Sequence, residues 1–117
     1  MRHSVKEERG SLIVSFAGEI DLEHSPQARE ILLDQVGRRR RVLVDLSEVD
    51  YIDSSGIASL IEAFQKARKA GSGFALAAPN PAVMRVLQLA RLDRVFRIFE
   101  TVEAGLAPAA EAPATPR

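Results

Sequence analysis

The feature that most constrains this chain is an alternation: short apolar or β-branched runs take turns with longer segments of helical period, four times over. Ser11 to Phe16, Arg41 to Leu46, Phe74 to Ala78 and Val95 to Phe99 read as strands, and Ser4 to Glu8 reads as an added edge strand. Between them, Gly56 to Ala70 places Ile57, Leu60, Ile61, Phe64 and Ala67 at helical spacing, with Ser59, Glu62, Lys66 and Lys69 expected to face away. Gly71 follows as a C′ stop. Ser25-Pro26 and Asn80-Pro81 each read as an N-cap followed by proline in the first turn, opening two more helices, and a short last helix is expected after Thr101. The alternation predicts a single α/β domain over residues 1–106: a mixed, mostly parallel sheet of four to five strands covered by about four helices. Residues 107–117 carry three prolines among small residues and read as a disordered Pro/Ala-rich tail.

Composition removes several classes of function. The chain has 117 residues, too few for two ordinary domains, and its 16 basic and 16 acidic residues cancel. A neutral protein lacks the basic excess with which nucleic-acid binders neutralise phosphate, so no direct nucleic-acid partner is expected. The run Arg38 to Arg41 reads as a solvated helix-to-strand turn. With no cysteine and two isolated histidines, His3 and His24, thiol chemistry and a zinc site are not expected, and His24 reads as exposed and idle. The charged residues from Met1 to Gly10 do not resemble a secretion signal, so the expected location is cytoplasmic. No glycine-rich loop opens a helix, so no nucleotide or other cofactor is expected within the chain.

One segment carries more chemistry than folding needs. Asp53, Ser54 and Ser55 are three consecutive capping residues ahead of Gly56 and the best helix. One cap satisfies a helix N-terminus, which leaves a hydroxyl spare where backbone N–H groups and the helix dipole favour an anion. A phosphate there would act as a covalent charge switch. No histidine lies close in sequence to Ser54 and no nucleophile elbow surrounds it, so an enzyme is not expected. Asp45, Glu48, Asp50 and Asp53 lack the order of a calcium loop and read as a solvated acidic turn.

With these residues in view, the chain resembles the STAS domain of bacterial anti-sigma-factor antagonists. The resemblance rests on Gly18-Glu19-Ile20-Asp21, Val44-Asp45-Leu46, Asp53-Ser54-Ser55-Gly56 and Pro81-Ala82-Val83 with Leu92, and spans about Leu12 to Phe99. It implies a partner-switching module that binds an ATP-dependent anti-sigma serine kinase when unphosphorylated and so releases a sigma factor. By that resemblance Ser54 is the phosphoacceptor and Asp53 its acidic neighbour. Ser55 is then a capping residue, Gly56 lets a partner approach the backbone, and Asp21 is a partner contact. Arg91 stands where many members have glycine. The family also contains subunits that dock on transporters, ABC-type lipid exporters and anion carriers among them, which is the alternative reading.

Overall fold

The computed structural model describes residues 1–107. The tail expected at 107–117 therefore lies, beyond Ala107, outside the described residues. In chain order the elements are β1 (Arg2–Glu8), β2 (Ser11–Ile20), α1 (Ser25–Val36), β3 (Val42–Ile52), α2 (Ser54–Ala70), β4 (Phe74–Ala77), α3 (Pro81–Leu89), a 3₁₀ turn (Leu92–Arg94), β5 (Arg97–Phe99) and α4 (Val102–Leu106). The five strands stand in the order 1-2-3-4-5. β1 pairs antiparallel with β2 through a two-residue turn in which Arg9 and Gly10 both have positive φ, the geometry that matches strand twist in a tight hairpin. The other neighbours are parallel, as helical crossovers require. The expected mixed, mostly parallel sheet is the one observed.

The sheet divides the core in two. Leu12, Val14, Phe16, Val42, Val44, Phe74 and Leu76 face the layer formed by α1, α2 and α3, and Ile20 and Ile52 close that cluster at the strand ends. The opposite face buries Ile13, Leu43, Ala75 and Ala77 beneath Leu106 of the five-residue α4. Ile13, which alternation assigns to the polar side of its strand, is 1% exposed because α4 covers it.

Several local expectations need correction. β2 and β3 run on to Ile20 and Ile52. The segment from Ser47 to Ile52, expected as an acidic turn, is strand. Its burial repeats every third residue (Leu46, Val49, Ile52) because the β2–β3 register slips twice, and each slip gives β3 one residue more than β2. Ser59, expected to face solvent, is buried, because α1 crosses α2 there and the Ser59 hydroxyl donates to the Ser25 and Ser55 carbonyls at 3.2 Å each. Ile61 and Phe64 are only partly buried, although the Phe64 ring meets Phe96 edge-to-face at 5.4 Å. Of the apolar residues near the chain's end, Leu87 and Leu92 are core, whereas Leu89 and Val95 are exposed. The arginine run is not uniformly solvated either. Arg41 donates to the Gly105 carbonyl at 2.7 Å and lies over the Phe99 ring, fastening α4 to the sheet.

Arg91, at the glycine position noted above, has φ 59° and ψ 24°. A left-handed conformation strains any residue with a Cβ. Arg91→Gly is expected to stabilise the domain by about 0.5–1 kcal/mol, relief of strain outweighing the entropy glycine adds to the unfolded chain. Thermal denaturation of the two proteins checks this; a lower midpoint for the variant would contradict it.

Candidate functional site

The carboxyl ends of β2 and β3 deliver two loops to one corner. Asp53 occupies the N-cap of α2 with extended backbone, and its Oδ1 accepts from the Ser55 N–H at 2.9 Å, the Gly56 N–H at 3.2 Å and the Ser55 hydroxyl at 2.5 Å. Its other oxygen accepts from the Leu22 N–H at 3.1 Å, tying the β2–α1 loop to the start of α2. These bonds, the Ser55 hydroxyl first, hold the Asp53 carboxyl below its ordinary pKa against the opposing effect of desolvation.

The cap is therefore complete without Ser54. Ser54 is the first residue of α2, exposed, and its hydroxyl has no hydrogen-bond partner among the described residues. Ser55 is half-buried and committed to Asp53. Of the three capping residues, Ser54 alone presents a spare hydroxyl, at the positive end of a 17-residue helix closed at its far end by Gly71 with φ 71°.

Gly56 is set by packing inside the domain. A Cβ there would lie 2.4 Å from the Ile20 carbonyl oxygen and 2.7 Å from the Ile52 side chain. On the side where a Cβ would stand, the neighbours of this glycine are the ends of β2 and β3.

Asp21 sits across the corner. Its Oδ1 accepts from the His24 backbone N–H at 3.0 Å and lies 2.7 Å from His24 Nδ1, while its carbonyl accepts from Ser25 N–H at 2.7 Å. Burial pushes the Asp21 pKa up, and the His24 N–H and ring together outweigh it, leaving the carboxyl below its usual value. Two expectations change as a result. His24 is the N-cap residue of α1 and is half-buried against Asp21, so it is neither exposed nor idle. Ser25 is the first helical residue, with its cap supplied by the preceding turn. Glu23 joins Asp21 and His24 with ligand atoms within 4.8 Å of one another, a grouping of carboxylates and one histidine that counting histidines misses. The Asp21–His24 contacts in it are those that open α1.

The expected cap at Asn80 is present, and it does more than cap. Its Oδ1 accepts from Val83 N–H at 2.8 Å while its Nδ2 donates to the Val49 carbonyl at 2.8 Å, pinning α3 to β3. Around the corner, Leu22 and Tyr51 are the exposed large apolar side chains, 76% and 50% accessible. Sequence reading passed over both, since a single exposed apolar residue carries no signal until the fold places it beside a site.

Folded-state pKa values below the unfolded ones give Asp53 and Asp21 a stabilising contribution that is present above the ordinary aspartate range and lost as pH falls through the folded values. Asp53→Asn is therefore expected to be less stable than wild type at neutral pH, with the gap narrowing on acidification below about pH 4. Urea denaturation at a series of pH values checks this; a gap independent of pH would show that the Asp53 charge contributes nothing.

Among the described residues no helix is long and apolar enough to cross a membrane. The STAS domain family profile matches residues 3–105. The anti-sigma-B factor antagonist of Listeria monocytogenes is 31% identical over 83 residues, covering 70% of this chain and 73% of that protein. The anti-sigma-B factor antagonist of Bacillus subtilis is 26% identical over 102 residues, covering 87% of this chain and 94% of that one. A crystal structure of an anti-sigma factor antagonist from Mycobacterium paratuberculosis superposes with a TM-score of 0.84 at 29% identity, covering 90% of each chain. With a family match that spans nearly all of the described residues, and with the superposition above, the chain belongs to the STAS domain family.

Proposed function

We propose that this protein is an anti-sigma-factor antagonist working as a phosphorylation-switched binding module. The corner formed by Asp21, Leu22, Tyr51, Asp53 and Ser54 docks on an ATP-binding anti-sigma serine kinase while Ser54 is unmodified, and docking frees the sigma factor. The observation that carries this reading is the exposed, unbonded Ser54 hydroxyl on a helix whose cap Asp53 already completes. The relatives named as antagonists support the general role.

In the transfer step the Ser54 oxygen attacks the γ-phosphorus of ATP, the bond to ADP breaks, and the serine proton passes to a base on the kinase. Asp53 is a poor candidate for that base, because its oxygens are occupied by Ser55, Gly56 and Leu22 and its pKa is lowered. On this reading the chain is a substrate and ligand, holds no cofactor and performs no catalysis. Ser55 keeps the cap, and Gly56 keeps Ser54 in place through its packing on Ile20.

The test is incubation with ATP and the anti-sigma serine kinase encoded in the same genome, followed by phosphosite mapping of wild type, Ser54→Ala and Ser55→Ala. The phosphate is expected on Ser54, absent from Ser54→Ala and retained in Ser55→Ala. Phosphate on Ser55 would reassign the switch. Neither serine modified, with a permease complex co-purifying instead, would replace this reading by the transporter one.

A further inference from the structure

The strand β1 forms one edge of the sheet, and all seven of its residues, Arg2 to Glu8, are exposed. An uncovered edge offers a row of backbone donors and acceptors to another strand, and proteins commonly block such edges with charge. Here the charges have an order that favours one antiparallel pairing over the two registers next to it.

We propose that two copies of this chain associate through β1, antiparallel about a two-fold axis at Val5, so that the two five-stranded sheets become continuous. An axis perpendicular to the sheet is the one that relates two antiparallel edge strands, and it keeps the α1–α3 layers of both copies on the same side. It also requires opposed residues to point to the same face, so the axis must pass through a residue position. Centred on Val5, the pairing sets Val5 against Val5, Ser4 against Lys6, His3 against Glu7 and Arg2 against Glu8 of the second copy. The only full charges brought opposite one another are of opposite sign, and this happens twice by symmetry.

The neighbouring registers do not share this property. Centred on Ser4, Arg2 opposes Lys6 twice; centred on Lys6, the two lysines meet at the axis and Glu8 opposes Ser4. A pattern that repels in the adjacent registers and attracts in one is what specifies strand register. Val5 adds apolar contact at the axis, being one of the few large apolar side chains left exposed. Arg2 has no acidic partner in its own chain among the described residues, and the bond Glu8 makes to Lys6 is a loose 3.9 Å. Glu7, in contrast, is held by Arg40 at 2.6 Å, so the His3 position contributes contact and the charge complementarity rests on Arg2 and Glu8. One seven-residue strand pair lies at the small end of interface sizes, which makes this a weak, concentration-dependent dimer.

Sedimentation velocity across the micromolar to millimolar range, on wild type, Arg2→Glu, Glu8→Arg and the double variant, tests the proposal. Wild type is expected to shift from monomer to dimer with concentration, and amide hydrogen exchange should slow along β1 as it does so. Each single change converts both attractive pairs into repulsive ones and should weaken association by about tenfold, while the double variant, which restores them in reverse, should return to within about threefold of wild type. Both side chains are exposed at the strand ends, and matching thermal midpoints will show that the variants fold. A chain that stays monomeric throughout overturns the proposal. So does a dimer unaffected by either single change, which would place the interface elsewhere.

Discussion

Gly56→Ala is expected to destabilise the domain by about 2–4 kcal/mol, more than any exposed substitution at the corner. The added methyl would lie 2.4 Å from the Ile20 carbonyl oxygen, with Ile20 Cγ2 at 2.9 Å and Ile52 Cγ1 at 2.7 Å. The obstacle is backbone as well as side chain, so rotamer changes cannot relieve it. α2 must move away from the ends of β2 and β3. That displacement would also lengthen the bond between Asp53 and the Leu22 N–H, so the loop carrying Asp21 should loosen with it. Ala58 lies two positions on and faces solvent, and Ala58→Gly, which loses only helix propensity, should cost about 1 kcal/mol. Chemical denaturation compares the two; equal costs would mean that the packing at Gly56 tolerates a methyl group.

Phosphorylation of Ser54 is expected to lower affinity for the kinase at least about a hundredfold, the equivalent of about 2.7 kcal/mol, while the domain stays folded. Stability should hardly change because the phosphate projects from an exposed position and the helix N-terminus favours it by about 0.3–1 kcal/mol. The surface changes far more. The neighbourhood already carries Asp21, Glu23 and Asp53, so a further charge of about −2 falls on an acidic corner and must be desolvated when a partner covers it. Ser54→Asp should reproduce part of the loss, with one charge fewer and a shorter reach. Ser54→Ala should bind nearly as wild type does, since the hydroxyl has no bond to lose among the described residues. Calorimetric titration of the kinase with the four forms measures this. A phosphorylated protein that binds as tightly as the unmodified one would remove the switch.

The parts of this molecule legible in its sequence are those whose hydrogen bonds close within a few residues. Asp53 reaches Ser55 and Gly56, Asn80 reaches Val83, and Thr101 reaches Ala104. Gly71 ends α2 by its own backbone. Short-range bonds depend on residue type and spacing, so the helix starts at Asn80 and Thr101, the stop at Gly71 and the surplus serine at the corner could be found before any fold was known. The alternation of strand and helix, which sets the class of fold, is local in the same sense.

The rest depended on partners about thirty or more residues away. Ser59 is inside because α1 crosses it, and Ile13 is buried on the far side of the sheet because α4 ends on it. Arg41 is a fastener because Gly105, 64 positions on, presents a carbonyl. β3 runs to Ile52 because two slips against β2 bend an acidic stretch into register. The site divides along the same line. Its serines could be read from the sequence, but why residue 56 must be glycine and why the Leu22 loop is tied to the start of α2 were decided when the ends of β2 and β3 met. Periodicity reports how a segment would pack against a featureless partner; which atoms fill a given contact is settled only by the segment that arrives there.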